Sequence, residues 1–521
     1  MKLFTSKGPP KILQLPKELR DSIYLHLDNG DVKSLRATCS AMNRDVPLRP
    51  TRVFLSANSL NIKVFRAVAD HERLRHSVAE IVWDDARLNT IPDLEDDRFP
   101  NQQPGCSSWF CSSPFRPPWF KRPSVNTWYR DHHLKPAFGP FSWQSPCACY
   151  KALIRDQEQI IAFNVDAEAF RYGLRRFSSL KRVTITPSTH GTKDNALYRT
   201  PMIKAFPVGF YCPIPKAWPD RTRWRNIDAL SWIERNPFFD QFQGFYGLNC
   251  TAESYRNKWR GYRAATRALA EDGQHHVTEL VVGGNDTGSG INCHIFDQAC
   301  VEYNDLVNLL RRPGFSHLSL DLATGYLEHE EWISYKSGLL RHALAEAKDL
   351  ESICIRTTTD TRNGTLNNFD LDSAEEMEFC LLTIFPIHEW PRLEHFGLSG
   401  FLVGVDDLIE VLDTLPDSLH SVELNYLAFK REEDSYESLL VKMRDTLNWR
   451  FRPERQRPKV YIIASANQFI PKHQFVEVQE AACSFLYEDG DNPFEGNGSI
   501  IHQGRGGMQR DLFNSQFITP Y

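Results

Sequence analysis

The sequence predicts an α/β chain: a small helical module at the N-terminus, then a long series of helix–strand units building one curved, mostly parallel sheet. Three observations predict it. The first fifty residues carry apolar positions at helical spacing, divided by turn residues. A pattern of the form apolar-x-x-apolar-x-apolar then recurs along the chain. Most copies of that pattern follow a segment that reads as helix.

Composition sets the outer limits. Of 521 residues, 41% are hydrophobic and 24% charged, the balance of a chain that buries a large core. At about 150 residues per domain the length suggests three or four domains, but a repeat array grows along an axis and escapes that count. Lys plus Arg (61) against Asp plus Glu (66) gives a net charge of -5, the wrong sign for coating nucleic acid. Mean hydropathy is -0.44 and there is no 18-residue apolar run, so no membrane partner is expected. Residues 1–10 lack the apolar run of a secretory signal, and the 12 cysteines are scattered rather than arranged as a disulfide framework. A cytoplasmic or nuclear location is therefore expected.

The module occupies residues 10–50. Pro16 stands near a helix N-terminus, where its missing N–H costs nothing, and Leu19, Ile23 and Leu27 recur every four residues. Asp28-Asn29-Gly30 breaks that helix. Asp31 can cap a second helix, in which Val32, Leu35, Cys39 and Met42 share a face. So short a segment cannot bury all of this apolar surface by itself.

In order and spacing, Leu15-Pro16-Lys17-Glu18-Leu19, Ile23, Leu27, Asp31-Val32 and Leu35-Arg36-Ala37-Thr38-Cys39-Ser40 resemble the F-box. The likeness covers about Leu13 to Val46, and Ala41-Met42-Asn43-Arg44 stands where many F-boxes carry a tryptophan. The resemblance implies docking on a Skp-type adaptor, and through it on a cullin-RING ubiquitin ligase. Carried over by position, the adaptor-binding set is Leu15, Pro16, Leu19, Ile23, Leu27, Val32 and Leu35. Such docking rests on aliphatic anchors.

The repeat follows over residues 51–487. Copies stand at Val78/Ile81/Trp83, Leu180/Val183/Ile185, Val277/Leu280/Val282 and Phe315/Leu318/Leu320. Others stand at Leu350/Ile353/Ile355, Leu393/Phe396/Leu398 and Leu419/Val422/Leu424, with a partial copy at Val460/Ile462. The last two positions alternate, as a half-buried strand requires. Helices are expected over 151–177, 254–270, 298–311, 331–348, 373–385, 406–415 and 436–449. This alternation resembles the leucine-rich-repeat solenoids often found behind an F-box. From Leu280 the intervals run 38, 35, 43, 26 and 38 residues, irregular and mostly longer than a standard leucine-rich repeat. The expected fold is thus F-box helices followed by an irregular leucine-rich-repeat-like solenoid, with an ordinary doubly wound sheet as the alternative.

Two longer intervals hold insertions at about 90–150 and 187–250, both rich in Pro and Trp, including Trp109, Trp128, Trp218 and Trp232. Aromatic content argues for ordered loops that pack over the sheet or present a binding surface. The tail, 488–521, is Gly-rich and reads as flexible, with Phe517-Ile518 able to dock back.

Three places invite an enzymatic reading, and each falls short. Cys106, Cys111, His132, His133, Cys147 and Cys149 lack the paired spacing of a zinc site and read as loop thiols. Gly283 to Gly290 follows a strand but misses the phosphate-loop spacing. His317, Asp321, Glu328, His329 and Glu330 have no fixed mutual geometry, which acid–base catalysis needs first. No catalytic residue, metal or cofactor is expected.

The residues alternating with the buried ones would face the concave side of the sheet. Among them Arg182, Thr184, Glu279, His317, Asp321, Arg356, His395 and Glu423 are the candidates for binding a protein substrate. The resulting expectation is a substrate receptor of a ubiquitin ligase. The alternatives are an F-box-bearing scaffold outside ubiquitin transfer and an enzyme that uses the aromatic insertions as a pocket.

Overall fold

Alternating apolar pairs set nine strands: β1 (Arg52–Ser56), β2 (Glu80–Asp84), β3 (Arg182–Thr186), β4 (Glu279–Val282), β5 (His317–Ala323), β6 (Ser352–Thr357), β7 (His395–Ser399), β8 (Ser421–Asn425) and β9 (Lys459–Tyr461). The computed structural model describes residues 11–27, 29–88, 144–187, 198, 200–206, 218, 232, 252–283, 290–323, 333–357, 380–431, 433–465, 475–495, 510–511 and 514–518. The nine strands pair in parallel in the order of the chain, with a short strand Ile291–Asn292 added beside the end of β5. Ile81, Val183, Leu280, Leu318, Ile353, Phe396, Val422 and Val460 fall in one register row. Nowhere along this path does the strand order reverse, as it does at the switch point of a doubly wound sheet.

Seven strands, β2 to β8, enter the sheet in the same way. The carbonyls of Thr51, Ala79, Lys181, Thr278, Ser316, Glu351 and Glu394 each accept two consecutive N–H groups from the start of the next strand. A carbonyl oxygen has two lone pairs, so one acceptor pins the angle of each incoming chain. The first apolar position of the repeat seals the turn beneath: Val78, Leu180, Val277, Phe315, Leu350, Leu393 and Leu419 are all buried.

Among the described residues the α-helices of six residues or more are α1 (Lys17–Leu25), α2 (Asn29–Thr38), α3 (Ser40–Asp45), α4 (Ser59–Asp70), α5 (Gln144–Ala162), α6 (Val165–Arg176), α7 (Arg260–Glu271), α8 (Val301–Leu310), α9 (Leu339–Ala345), α10 (Val405–Asp413), α11 (Tyr436–Thr446) and α12 (Gln479–Tyr487). Neighbours touch in chain order: α4 with α6, α6 with α7, α7 with α8, α8 with α9, α10 with α11, α11 with α12. Their apolar sides, including Phe65, Phe170, Tyr262, Leu306, Leu340, Leu412 and Leu440, share one core with the apolar strand row. Among the described residues no helix is long and apolar enough to cross a membrane.

Several expected boundaries shift for local reasons. The segment 151–177 is two helices, α5 and α6, divided where Asn164 turns left-handed (φ 53°). The segment 331–348 is likewise divided, into a turn at Ile333–Lys336 and α9, by Gly338 (φ 79°). Of the helix expected over 373–385, residues 373–379 lie outside the described residues. The remainder is a 3₁₀ turn at Leu381–Thr383, because Pro386 disfavours helical backbone at the residue before it. Strand β1 and helix α4 form a further unit that the repeat pattern passes over, since Pro50 stands where the first apolar residue should.

Most of 90–150 and 187–250 lies outside the described residues, but two of its tryptophans do not. Trp218 is buried and donates through Nε1 to Asp85 at 2.8 Å. Trp232 is buried against Trp259 and donates to Glu302 at 3.1 Å. At the other end Phe494 is buried and stacks on Tyr436, so the packed body runs to about residue 495. Residues 514–518 pair antiparallel with 510–511, while the rest of the tail lies outside the described residues.

Gly400 adopts φ 71°, and a Cβ there would collide with the Thr357 carbonyl oxygen, while Thr357 Oγ1 donates to Gly400 O at 2.5 Å. Gly400→Ala is therefore expected to cost more than about 1 kcal/mol in urea unfolding, since strain and collision add. An unchanged midpoint would show that the turn relaxes freely.

Candidate functional site

Two surfaces gather the residues singled out by sequence: the helical module and the polar face of the sheet. The module has its own small core of Tyr24, Val32, Met42 and Val46, against which Ile12, Leu13, Leu27, Leu35, Cys39 and Leu48 pack. The Tyr24 hydroxyl donates to Asp45 at 2.8 Å, and burial with that acceptor pushes it up to about 12. Arg20 ties the same corner, donating to Leu13 O at 3.1 Å and lying 3.4 Å from Asp45. Helices this short are held by such packing rather than by propensity.

The seven proposed adaptor contacts divide accordingly. Leu15 (39% exposed), Pro16, Leu19 (54%) and Ile23 (39%) face outward as one apolar stripe. Val32 is buried, and Leu27 and Leu35 are half-buried against it, so these three hold the module together. The division has a simple cause: helical spacing marks an apolar face but does not say whether the chain itself or a partner covers it. Leu25, outside the stripe, is also exposed.

On the sheet, the register places Arg52, Glu80, Arg182, Glu279, His317, Ser352, His395, Ser421 and Lys459 in one cross-strand row. Charges alternate at its start: Arg52 Nε donates to Glu80 at 2.8 Å and Arg182 Nε to Glu279 at 2.5 Å. Thr184 is buried and donates to the other oxygen of Glu80 at 2.7 Å. Burial still pushes the Glu80 carboxyl up, against the pull of Arg52.

A second cluster lies toward the far end. Arg356 donates to Ser319 at 3.1 Å and to Asp321 at 3.3 Å, and its other terminal nitrogen lies 3.9 Å from Glu423. Glu423 also accepts from the Asn425 amide and lies 3.8 Å from His395 Nε2, while His395 Nδ1 meets the Ser421 hydroxyl at 2.8 Å. Asp321 is buried, and His317 and His395 are half-buried. The eight candidate residues are thus brought onto one face, largely as pairs that satisfy one another. Thr184 and Asp321 serve that network from beneath. Arg52 and Glu80 belong to the same row and were not anticipated; the signal for Arg52 was the Val53/Leu55 alternation behind Pro50, and for Glu80 its place beside Ile81/Trp83.

Burial holds the His395 imidazole below its ordinary value, against the attraction of Glu423 and with Arg356 and His317 repelling the proton. A histidine kept neutral on folding binds fewer protons than in the unfolded chain, so its contribution is lost as pH falls through about 6.5. His395→Gln is expected to flatten the decline in urea-unfolding stability between about pH 7.5 and 5.5. An unchanged slope would mean that His395 titrates freely when folded.

Of the residues that invited an enzymatic reading, Cys106, Cys111, His132, His133, Glu328, His329 and Glu330 lie outside the described residues. Ser334, His294 and Asp297 do meet: Ser334 Oγ donates to Asp297 at 2.5 Å and lies 3.4 Å from His294 Nδ1, which is 2.7 Å from Asp297. A hydrolase relay needs serine and acid on opposite ring nitrogens, whereas both groups here approach Nδ1. Cys380, Asp407 and Glu410 also cluster, but Asp407 is taken up by the Leu381 N–H at 3.0 Å and the Cys380 thiol at 2.9 Å.

No protein-family model matches this sequence, and no curated protein matches it. The polar face and the outward stripe therefore stand on their own chemistry.

Proposed function

We propose that the chain is an F-box substrate receptor: the N-terminal module docks on a Skp-type adaptor, and a leucine-rich-repeat-like solenoid behind it binds a protein client. The observation that carries this reading is the outward stripe Leu15–Pro16–Leu19–Ile23 on a module with its own core. Exposed aliphatic side chains in a row are what a docked partner would cover. The solenoid reading is supported by strands paired in chain order, the strand entry repeated seven times and one row of helices. On this reading the chain breaks no bonds itself. It brings a client lysine close to a ubiquitin donor held by other subunits, and effective concentration does the rest.

The test is co-purification of full-length chain with a Skp-type adaptor. Adaptor should be captured, and capture should fall on Leu15→Ala with Pro16→Ala while the unfolding midpoint stays put. Recruitment of a cullin then separates a ligase receptor from a scaffold. Absence of adaptor from the wild-type complex would overturn the reading.

A further inference from the structure

At the strand entries, on the edge opposite the loops that carry Gly283 and Gly400, the turns before β3 to β7 leave an open cleft of about 380 Å³. Five neighbouring strands line it, a length of about 19 Å at ordinary strand spacing. Its two ends differ in charge. Toward β3 and β4 it is lined by Lys181 and His276, both exposed and, among the described residues, without a side-chain partner. Toward β6 and β7, Asp349 and Glu351 face it, bridged by Arg392 at 3.2 and 2.9 Å. Between them lie Thr278 and His317, and Glu279 held by Arg182 at 2.5 Å.

We propose that this cleft binds an extended client peptide through one carboxylate side chain, seated on Lys181 and His276, with a basic residue about four positions further along facing Asp349 and Glu351. The proposal rests on the receptor reading for its ligand class, a peptide, but not on the adaptor module. Three features favour it. The unpaired ammonium and imidazole are donors that an acceptor can reach without breaking an existing ion pair. Between Lys181 at the mouth of β3 and Glu351 at the mouth of β6 there are three strand spacings, about 14 Å, which four extended residues span. The three carboxylates in the same cleft disfavour a dianion, so a carboxylate suits it better than a phosphate.

The experiment uses the full chain and fluorescence anisotropy. The probe is a labelled Gly/Ser peptide carrying one glutamate and, four residues on, one lysine. The peptide should bind, and its glutamine counterpart should bind about tenfold more weakly, since one charge-assisted contact is lost. Lys181→Glu should abolish binding of the first peptide and restore it for one with lysine in place of glutamate. His276→Gln should weaken binding by a smaller factor. Lys181 is exposed, so an unchanged unfolding midpoint checks that the variant is folded, and His276→Gln serves if it is not. Equal binding of the glutamate and glutamine peptides overturns the proposal. So do preference for a phosphoserine peptide, indifference to Lys181→Glu, or no binding. A chain that binds the peptide but never captures adaptor sinks the ligase reading and leaves the cleft standing.

Discussion

Leu19→Asp is expected to abolish adaptor capture while leaving the fold intact. Leu19 is 54% exposed in the middle of the outward stripe, so the charge stays hydrated in the free chain. Covered by a partner, the same carboxylate is desolvated without a counter-ion. Loss of an aliphatic anchor at an interface centre costs about 2 kcal/mol or more, roughly a thirtyfold change in affinity before the charge is counted. Val32→Ala tests the opposite arrangement. Val32 is buried in the module's small core, so its truncation should loosen the module itself by about 1–3 kcal/mol and weaken capture only through that loss. Calorimetry and pull-down on the two variants separate contact from support. Full adaptor binding by Leu19→Asp would end the case for docking through this stripe.

Arg356→Ala is expected to give the largest loss of stability on the polar face. Its side chain is 12% exposed and Asp321 is 5% exposed, so removing the guanidinium leaves a nearly buried carboxylate short of its cation. Breaking a buried pair from one side costs about 3 kcal/mol or more, whereas changing both partners together costs less. Urea unfolding of Arg356→Ala, Asp321→Asn and the double variant should show this non-additivity. A loss below about 1 kcal/mol would mean that water reaches the pair freely. Adaptor capture should be unaffected, because the module does not draw on the main core.

The sheet was legible because one physical rule governs β2 to β8: two alternating apolar residues per strand, with a third at the turn. Ile81, Val183, Leu280, Leu318, Ile353, Phe396 and Val422, picked out by spacing, are the residues that stand in register. Helix limits were less legible, because a single left-handed residue such as Asn164 or Gly338 leaves the apolar rhythm almost unchanged while ending the helix. The first unit was missed at Pro50, where one residue breaks the pattern and the backbone does not follow. At the candidate site, spacing correctly put Arg182, Arg356 and Glu423 on one face. It could not show that they pair with Glu279, Asp321 and one another, since contacts between residues tens of positions apart depend on register. Nor could it tell Leu19, which faces water, from Val32, which does not.

One small feature at the end of the array carries a wider consequence. Among the described residues β9 pairs only with β8, and α12 lies along its other side, with Cys483 Sγ accepting from the Val460 N–H at 3.4 Å. A sheet that adds one strand per unit has no geometric reason to stop, and an uncovered last strand is a template for another molecule. Helix α12 acts as the terminator of a growth series, and a weak sulfur contact is part of it. A chain shortened before residue 479 would leave that strand's outer edge uncovered and open to pairing with another molecule.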